Sequence, residues 1–336
     1  MTVLLASRAF FTRYDADLQR ISAIPGPRGP IERIEIPEGE GERVSDEDMA
    51  RITVGFASGD MGGRPESPLR RRLLGAARRA PNFQWLHVAN VGTDDPIYPE
   101  LIAKGVVVSN SPGSNAEPIA VTTLGVMIAL ARRLPGYAEA QRAHEWRQAL
   151  RTEAPADLRG QTVTIVGLGT IGGLLARFLR PLGVHLIGVR RTPAGAEDGV
   201  DEWVPPAQLE EVLPRTQWLV LATPLTSHTR GMIDARALAL LPRGAHVVNV
   251  GRGAVMDEGA FVEAVRSGHL AGGYLDVFEQ EPLPADSPLW DLPNVILTPH
   301  DSSASQGNAP RADAMFMEEL ERWQRGEQPV RVVAVE

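Results

Sequence analysis

Short apolar runs recur along the chain, separated by segments with helical spacing or by turns rich in glycine and proline. Near the centre, a β-branched run at 163–166 is followed by a glycine-rich turn and by a helical repeat from Leu174 to Leu179. Further apolar runs follow at 184–189, 218–222, 246–249, 273–276 and 295–298. This alternation predicts an α/β domain with a doubly wound parallel sheet.

The first 112 residues show the same pattern on a smaller scale. Strands are predicted at 3–6, 31–36, 52–57, 85–89 and 106–108, and one helix from Ser67 to Arg79. A long apolar helix follows, from residue 114 or 115 to about Arg133, then a polar helix containing Trp146. The last helix, from about Pro310 to Arg325, starts beyond the second sheet. We therefore predict two domains, one of residues 1–112 plus 304–336 and an inserted one of residues 113–303.

The glycine turn of the inserted domain has the spacing G-x-G-x-x-G, formed by Gly167, Gly169 and Gly172. In a strand–turn–helix context this spacing is typical of Rossmann-like dinucleotide sites. The free N–H groups near Thr170 and Ile171 are expected to bind a pyrophosphate. An ordinary glycine-rich turn is the alternative interpretation.

The end of the second strand of this domain indicates which nucleotide is bound. Sites for NAD usually carry an acidic residue there, but this chain has Arg190, Arg191 and Thr192. A guanidinium group pairs well with a 2′-phosphate, so we predict NADPH in preference to NADH. Solvent-exposed arginines without a ligand are the alternative.

Composition excludes several classes of protein. The net charge of −8 argues against a nucleic-acid partner, and the basic run Arg70 to Arg72 is interpreted as a solvated helix face. The chain has no cysteine, which excludes disulfides and thiolate zinc sites and fits a cytoplasmic location; no metal site is predicted. The longest mostly apolar segment, about 119–131, is too short for a membrane span.

Three ionisable residues follow strand ends of the inserted domain, where chemistry gathers in open α/β sheets. Arg252 offers a planar fork for a carboxylate, and His300 a proton for a carbonyl oxygen. Glu281 could orient the imidazole, but Asp276 and Glu279 compete for that acidic role, and periodicity does not choose between them. The combination suits hydride transfer to a 2-oxo acid.

The motifs of the chain from about residue 85 onward closely resemble those of the D-isomer-specific 2-hydroxyacid dehydrogenases. They are the segments 92–94, 110–113, 167–172, 223–226 with Thr229, 249–253 with 257–258, 276–282 and 298–300. The resemblance implies two Rossmann-like or flavodoxin-like domains with a cleft between them, which closes over the cofactor, and a homodimer built mainly on the cofactor domains.

The same resemblance assigns roles to individual residues. It implies Arg252, Glu281 and His300 as the catalytic residues, with Arg252 and His300 also contacting substrate beside Val91 and Gly92. It places Thr223, Pro224, Val250 and Gly251 along the cofactor cleft and Asp276 near the nicotinamide. The implied activity is NADPH-dependent reduction of glyoxylate, hydroxypyruvate or a similar acid to the D-hydroxy acid.

Three positions depart from the family pattern. Arg190 replaces the usual acid, which matches the family's NADP-using reductases; Asn90 stands where the substrate loop often has glycine, and Val121 where glutamate is frequent. Phosphite dehydrogenation remains an alternative, whereas Glu281 disfavours formate because formate enzymes carry glutamine there. An NAD(H)-sensing corepressor-like binding protein is the alternative from another class, and Arg190 and Arg191 weigh against it.

Overall fold

The computed structural model describes residues 1–61, 67–89, 95–148, 154–193, 195 and 199–333. The chain divides into two compact units: unit 1 is Met1–Asn115 with Ser305–Glu336, and unit 2 is Ala116–Ala304. The boundaries predicted from the sequence, 112/113 and 303/304, fall close to these divisions.

Unit 1 consists of one parallel sheet with helices on both faces. Its strands are β1 (Thr2–Ala6), β2 (Ile31–Glu35), β3 (Val54–Ala57), β4 (Trp85–Val88) and β5 (Val107–Asn110). Its helices are α1 (Arg8–Arg13), α2 (Asp15–Ser22), α3 (Asp46–Arg51), α4 (Pro68–Arg79), α5 (Ile97–Ala103) and, from the end of the chain, α12 (Asn308–Gln324). The strand order β2-β1-β3-β4-β5 is that of flavodoxin-like sheets.

The C-terminal helix α12 completes the core of unit 1. Phe316 stacks on Phe56 of β3, with ring centroids 4.0 Å apart and planes inclined by 6°, and also contacts Phe10 and Trp85. Trp323 packs against Trp85 one strand further along the sheet. These fully or almost fully buried aromatic rings supply a large share of the apolar surface that folding removes from water.

Unit 2 is larger and has the same construction. Its strands are β6 (Thr162–Val166), β7 (His185–Val189), β8 (Glu202–Val204), β9 (Trp218–Leu221), β10 (Ala245–Asn249), β11 (Leu270–Leu275) and β12 (Val295–Leu297). Its helices are α6 (Ala116–Ala131), α7 (Leu134–Arg142), α8 (Thr170–Leu179), α9 (Leu209–Val212), α10 (Ala235–Leu240) and α11 (Glu258–Arg266).

The sheet of unit 2 is parallel throughout, in the order β12-β11-β10-β9-β6-β7-β8. Strand order reverses between β6 and β9, which is the point where open α/β sheets bind nucleotides. Apolar residues cover both faces of the sheet, in two separate clusters. The predicted α/β class with two doubly wound parallel sheets is confirmed.

The structure differs from the sequence-based prediction around the long apolar helix. Helix α6 ends at Ala131, and Arg133 adopts a left-handed conformation (φ 53°) before α7 begins with Pro135 in its first turn. Proline cannot continue the hydrogen bonds of the preceding helix, so the chain must break there. The polar helix was predicted to contain Trp146, but α7 ends at Arg142, and the following His144 is left-handed (φ 56°).

The described residues contain no single helix that is both long and apolar enough to cross a membrane. Helices α6 and α7 together pass that test of length and composition, but they are bent by 69° at the break between them.

Candidate active site

The glycine turn after β6 has the geometry that a dinucleotide site requires. Gly167 is left-handed (φ 99°), and a Cβ there would lie 2.7 Å from the Ala222 carbonyl oxygen. A Cβ on Gly172 would lie 2.0 Å from the Gly167 carbonyl oxygen, so α8 can approach the turn only with glycine at this position. At Gly169, the N-cap of α8, a Cβ would meet nothing within 4 Å. The two outer glycines are required for packing, and the middle one leaves open space.

That open space fits a pyrophosphate. Helix α8 starts at Thr170 without a side-chain cap, so its first N–H groups, including those of Thr170 and Ile171, have no acceptor within the helix. The helix dipole adds positive potential at the same place. The residues of the predicted motif therefore fit the phosphates of a nicotinamide dinucleotide.

The predicted 2′-phosphate residues lie together at the end of β7. Both Nε and Nη2 of Arg190 donate to Thr192 Oγ1, at 3.1 and 2.9 Å. The Arg190 carbonyl oxygen accepts a hydrogen bond from Trp203 Nε1 of β8 at 3.1 Å, which fixes the backbone from which the guanidinium extends. Arg191 and Thr192 are exposed.

The turns after β9 and β10 are in close contact. A Cβ on Gly251 would lie 2.6 Å from the Thr223 carbonyl oxygen, so the two turns pack backbone to backbone. Val250 is buried, and Pro224 accepts a hydrogen bond from Thr229 Oγ1 at 2.7 Å. These turns lie beside the glycine turn, because Gly167 packs against the backbone of Ala222 and Thr223.

Arg252 is presented by a turn that Asn249 holds. The fully buried Asn249 accepts from the Gly251 N–H through Oδ1 and donates to the Arg252 carbonyl oxygen through Nδ2, each at 3.1 Å. Arg252 Nη1 donates to the Gly251 carbonyl oxygen at 2.9 Å. The sequence analysis gave Asn249 no role of its own. The signal that could have identified it as a positioning residue is an amide side chain at the end of a buried apolar strand.

His300 and Glu281 form a direct pair. The imidazole Nδ1–H donates to Glu281 Oε2 at 2.8 Å, and Glu281 Oε1 accepts from the Phe278 N–H at 3.1 Å. The pairing fixes the orientation of the ring, and Nε2 is the ring nitrogen that this pair does not use. Both side chains are partly exposed, at 46% for His300 and 38% for Glu281, so a small substrate can reach them.

Glu279, one of the acids that competed for the role of Glu281, has a different partner. Its Oε1 accepts from the Glu258 N–H at 3.1 Å, and its own N–H donates to Glu258 Oε2 at 3.2 Å. Burial raises the pKa of Glu258; the hydrogen bond from the Glu279 N–H opposes this shift, and the charge of Glu279 adds to it. Glu279 therefore ties the loop after β11 to the start of α11.

Asp276, the other competing acid, anchors the turn that carries His300. Its Oδ1 accepts from Thr298 Oγ1 at 2.5 Å and from the N–H groups of Asp301 and Ser302 at 2.9 and 3.0 Å, and its Oδ2 accepts from Ser302 Oγ. The His300 N–H donates to the Asp276 carbonyl oxygen at 2.8 Å. This carboxylate is almost fully buried, so its hydrogen bonds fix the position of His300.

Tyr274 extends this network to the sheet. Its hydroxyl lies 2.8 Å from Thr298 Oγ1, and burial raises the pKa of Tyr274 to about 12, still further above ordinary pH than that of a free tyrosine. Thr298 and Ser302 were not singled out as positioning residues from the sequence, because hydroxyl residues at a strand end are common and give no specific signal.

The strand order brings the three candidate catalytic residues to one edge of the sheet. Arg252 follows β10, Glu281 lies in the loop after β11, and His300 follows β12; these strands are neighbours. A cation, a proton donor and a carboxylate that orients the donor therefore share the carboxyl end of unit 2. Within the described ranges, no three His, Asp or Glu side chains are grouped so that they could hold a metal ion.

The structure does not describe the loop that was predicted to bind the substrate. Val91 and Gly92, like the unusual Asn90, lie outside the described residues. Val121, the other departure from the family pattern in the first half of the chain, is a half-exposed residue of α6.

Comparison with known proteins agrees with this geometry. The model of the D-isomer specific 2-hydroxyacid dehydrogenase NAD binding domain matches residues 124–302. A glyoxylate reductase of Korarchaeum cryptofilum is 36% identical over 259 residues, which are 76% of this chain and 77% of that protein. A formate dehydrogenase of Arabidopsis thaliana is 34% identical over 74% of this chain and 65% of its own length.

Solved structures of similar proteins cover nearly the whole chain. A D-isomer specific 2-hydroxyacid dehydrogenase from Xanthobacter autotrophicus Py2, in complex with NADPH and MES, superposes with a TM-score of 0.74 at 29% identity, covering 99% of this chain and 98% of that one. An NADPH-dependent glyoxylate/hydroxypyruvate reductase from Sinorhizobium meliloti gives 0.73 at 28% identity, covering 99% and 97%. The chain belongs to the D-isomer specific 2-hydroxyacid dehydrogenase family and is an NAD(P)-dependent oxidoreductase of that family.

Proposed function

We propose that this protein reduces a small 2-oxo acid of the glyoxylate or hydroxypyruvate type with NADPH and forms the 2-hydroxy acid, as the D isomer where the product is chiral. The observation that carries the proposal is the 2.8 Å hydrogen bond between His300 Nδ1 and Glu281 Oε2, on the same sheet edge as Arg252. Reduction of a carbonyl adds one hydride and one proton, and this pair is suited to supply the proton.

Each side chain has a separate task in this proposal. Arg252 binds the substrate carboxylate through its planar guanidinium. His300, protonated on both nitrogens, donates the Nε2 proton to the carbonyl oxygen while Glu281 holds the Nδ1–H. When bound, NADPH would supply the hydride for the new C–H bond. The carbonyl carbon is thereby reduced to a secondary alcohol, or to a primary alcohol in the case of glyoxylate.

The cofactor residues divide into two groups. Gly167, Gly169, Gly172, Thr170 and Ile171 would hold the pyrophosphate, and Thr223, Pro224, Val250, Gly251 and Asp276 would line the nicotinamide side. Arg190, Arg191 and Thr192 would bind the 2′-phosphate, because a guanidinium and a hydroxyl at this strand end supply donors where NAD sites need an acceptor. Relatives named as NADPH-dependent or solved with NADPH support this preference.

Proton transfer separates this reaction from formate oxidation, which the name of one relative suggests. Removing a hydride from formate gives carbon dioxide and needs no proton donor. A histidine oriented by a carboxylate favours a substrate whose oxygen must be protonated or deprotonated. The same argument is weaker for phosphite, whose oxidation uses a water molecule that must lose a proton.

A homodimer through unit 2 is also part of the proposal. Five large apolar side chains between residues 121 and 146 are exposed: Val121, Ile128, Leu134, Tyr137 and Trp146, the last at 90%. Such a concentration on α6, α7 and the segment after them is typical of a protein–protein contact. Sedimentation equilibrium of the purified protein tests for the dimer. A monomer at micromolar concentration would contradict this part of the proposal.

The function is tested by measuring reaction rates with a panel of substrates. The change in absorbance of the reduced nicotinamide cofactor reports the rate. Glyoxylate, hydroxypyruvate, pyruvate and a bulkier oxo acid are compared with NADPH and with NADH, and formate and phosphite are tested in the reverse direction with NADP and NAD. We expect the small oxo acids with NADPH to give the highest kcat/KM. Turnover with formate or phosphite but with none of the oxo acids would contradict the proposal.

A further inference from the structure

Unit 1 contains a strongly basic pocket that plays no part in the proposed reaction. Its volume is about 380 Å³, and it lies between the loop after β2 and helix α4. Four arginines, Arg43, Arg71, Arg72 and Arg79, line it, together with one acidic residue, Glu42. We refer to these five residues as the basic pocket. None of them belongs to the candidate active site.

Helix α4 forms one wall of the basic pocket through a single face. The residues of this face are Arg71, Arg72, Gly75 and Arg79. Their successive intervals of one, three and four residues place all of them on one side of the α-helix. Gly75 at the centre of this face leaves open space, since a Cβ there would meet only Arg79 Nη2, at 3.9 Å. Arg79 folds back over this glycine, with its Nε donating to the Gly75 carbonyl oxygen at 3.1 Å.

The opposite wall is the loop 37–44, and Arg72 holds it in place. Arg72 Nη2 donates to the Gly39 carbonyl oxygen at 2.6 Å, and Nη1 donates to the Pro37 carbonyl oxygen. Glu42 Oε2 accepts from the Gly39 N–H at 3.0 Å, so this carboxylate is used within the loop. The pocket is thus built by hydrogen bonds between helix and loop.

Two of the four arginines that line the basic pocket are not paired with a neighbouring side chain among the described residues. Among the described residues, the side chains of Arg43 and Arg71 have no hydrogen-bond or ion-pair partner, whereas Arg70 and Arg78 of the same helix pair with Asp95 and Glu100. The side chains that line the pocket, four arginines and Glu42, carry a formal surplus of +3, whereas the whole chain has a net charge of −8. Two further carboxylates, Glu38 and Glu40, belong to the same loop but do not line the pocket.

We propose that the basic pocket binds a small molecule carrying a pyrophosphate group, either free or as part of a nucleoside diphosphate. Two phosphoryl groups carry roughly three to four negative charges near pH 7, which matches this surplus. Arginine forks bind phosphate oxygens in pairs, through charge-assisted hydrogen bonds. The volume lies at the lower end of the range for small-molecule sites, roughly 300–1,000 Å³.

Calorimetric titration of pyrophosphate, and separately of ADP, into the full-length protein loaded with NADPH tests this proposal. A saturating excess of NADPH, at the same concentration in the cell and in the syringe, keeps the cofactor site occupied. The test variants are the double variant Arg43→Ala/Arg71→Ala and Gly75→Leu, which fills the open centre of the helix face. The matched control is Arg8→Ala/Arg78→Ala, which removes the same charge from unit 1, including one arginine of α4 that points elsewhere.

We expect pyrophosphate to bind the wild-type protein in the micromolar range, with at least tenfold weaker binding in both test variants and less than a twofold change in the control. Tighter binding of ADP than of pyrophosphate identifies the nucleotide as the source of the diphosphate, and equal binding identifies the free anion. No binding at millimolar concentration, or equal weakening in the control, would overturn the proposal. Unfolding midpoints close to that of the wild type confirm that the variants are folded.

Discussion

At the scale of single residues, the position of His300 depends on its backbone as well as on its partner. Its φ of 54° lies in the left-handed region, which few residues other than glycine, asparagine, aspartate and histidine adopt readily. Its N–H is shared between the carbonyl oxygens of Asp276 and Thr298, at 2.8 and 2.9 Å. The imidazole is therefore presented from a constrained turn, and a substitution that suits this conformation isolates the chemistry of the ring.

Glu281→Gln tests whether the carboxylate acts through His300. Glutamine retains the shape and one acceptor but removes the charge that stabilises the protonated imidazole, so kcat with a 2-oxo acid is expected to fall about 10- to 100-fold. The KM for NADPH should change little, because the pair does not lie at the glycine turn. Steady-state kinetics measure both quantities.

The control for this variant is Glu279→Gln, two residues away. Glu279 exchanges hydrogen bonds with Glu258 and does not contact His300 through them. The kcat of the Glu279→Gln variant should therefore stay within about twofold of the wild-type value. Equal losses in the two variants would show that the loop as a whole matters and not the Glu281–His300 pair.

Spacing alone predicted the region of these residues but not their pairing. Asp276, Glu279 and Glu281 lie within six positions of one strand end, and nothing in the alternation of apolar and polar residues tells them apart. Their hydrogen bonds distinguish them. Asp276 anchors the turn that carries His300, Glu279 joins the loop to α11, and Glu281 holds the imidazole. The resemblance to a family had pointed to Glu281, and the reason lies in three-dimensional contacts that a single sequence does not contain.

At the scale of elements, the strand–turn–helix unit of β6 and α8 is specified locally by its glycines. Gly172→Ala is expected to force α8 away from the turn, because the new methyl group would overlap the Gly167 carbonyl oxygen at 2.0 Å. We expect at least tenfold weaker NADPH binding and a loss of stability of about 1–3 kcal/mol. Fluorescence titration with NADPH and denaturant unfolding measure the two effects.

Gly173→Ala is the matched control on the same helix. Its Cβ would meet only Arg177 Nη1, at 3.9 Å, and alanine is a better helix former than glycine by up to about 1 kcal/mol. This variant should bind NADPH normally and be equally stable or more stable. Normal cofactor binding by Gly172→Ala would contradict the assigned role of close packing.

The accuracy of the element prediction followed the strength of the local pattern. The long apolar strands of both sheets were predicted close to their observed bounds, since burial on both faces gives continuous apolar runs. Strand β8, only three residues long and partly exposed, has no such signal. Helices α1 and α2 were not predicted, because helices this short depend on tertiary contacts. Phe10 of α1 packs against Phe56 and Phe316, and α2 packs against β2 and α12.

At the scale of the whole molecule, stability should depend on pH through Asp313 of α12. This fully buried carboxyl group lies beside Arg13, Tyr14 and Asp60, and burial raises the pKa of Asp313 to about 6, although hydrogen bonding to Tyr14 and the charge of Arg13 partly offset the effect. The folded state then holds the proton more tightly than the unfolded state, whose aspartates titrate near about 4. The stability that this group contributes is therefore lost as the pH rises from about 4 to about 6.

Asp313→Asn should remove that dependence. Above pH 6 the variant is expected to be more stable than the wild type by about 1–3 kcal/mol, and near pH 4 the advantage should vanish, because both side chains are then neutral. Urea unfolding at a series of pH values measures the difference. Parallel stability curves for the two proteins would show that burial does not control this carboxyl group.

The two units also differ in how far the sequence alone could describe them. In unit 2 each proposed functional residue follows a strand of the sheet, so strand ends and motifs in the sequence pointed to these positions. In unit 1 the basic run at 70–72 was interpreted as one solvated face, yet Arg70 turns to Asp95 and Arg71 and Arg72 line a pocket. Side chains turn by about 100° per residue along a helix, so Arg70 and Arg72 point in directions about 160° apart and the run as a whole does not form a single surface.

The most direct test of the account is the steady-state rate of NADPH oxidation with glyoxylate by the wild-type protein and by His300→Asn, which suits the left-handed backbone of that turn. We predict turnover by the wild type with NADPH at least tenfold more efficient than with NADH. For the variant we predict a fall in kcat of about 10²- to 10⁴-fold with NADPH binding retained. No turnover by the wild type with either cofactor despite binding, or a variant as fast as the wild type, would contradict the account.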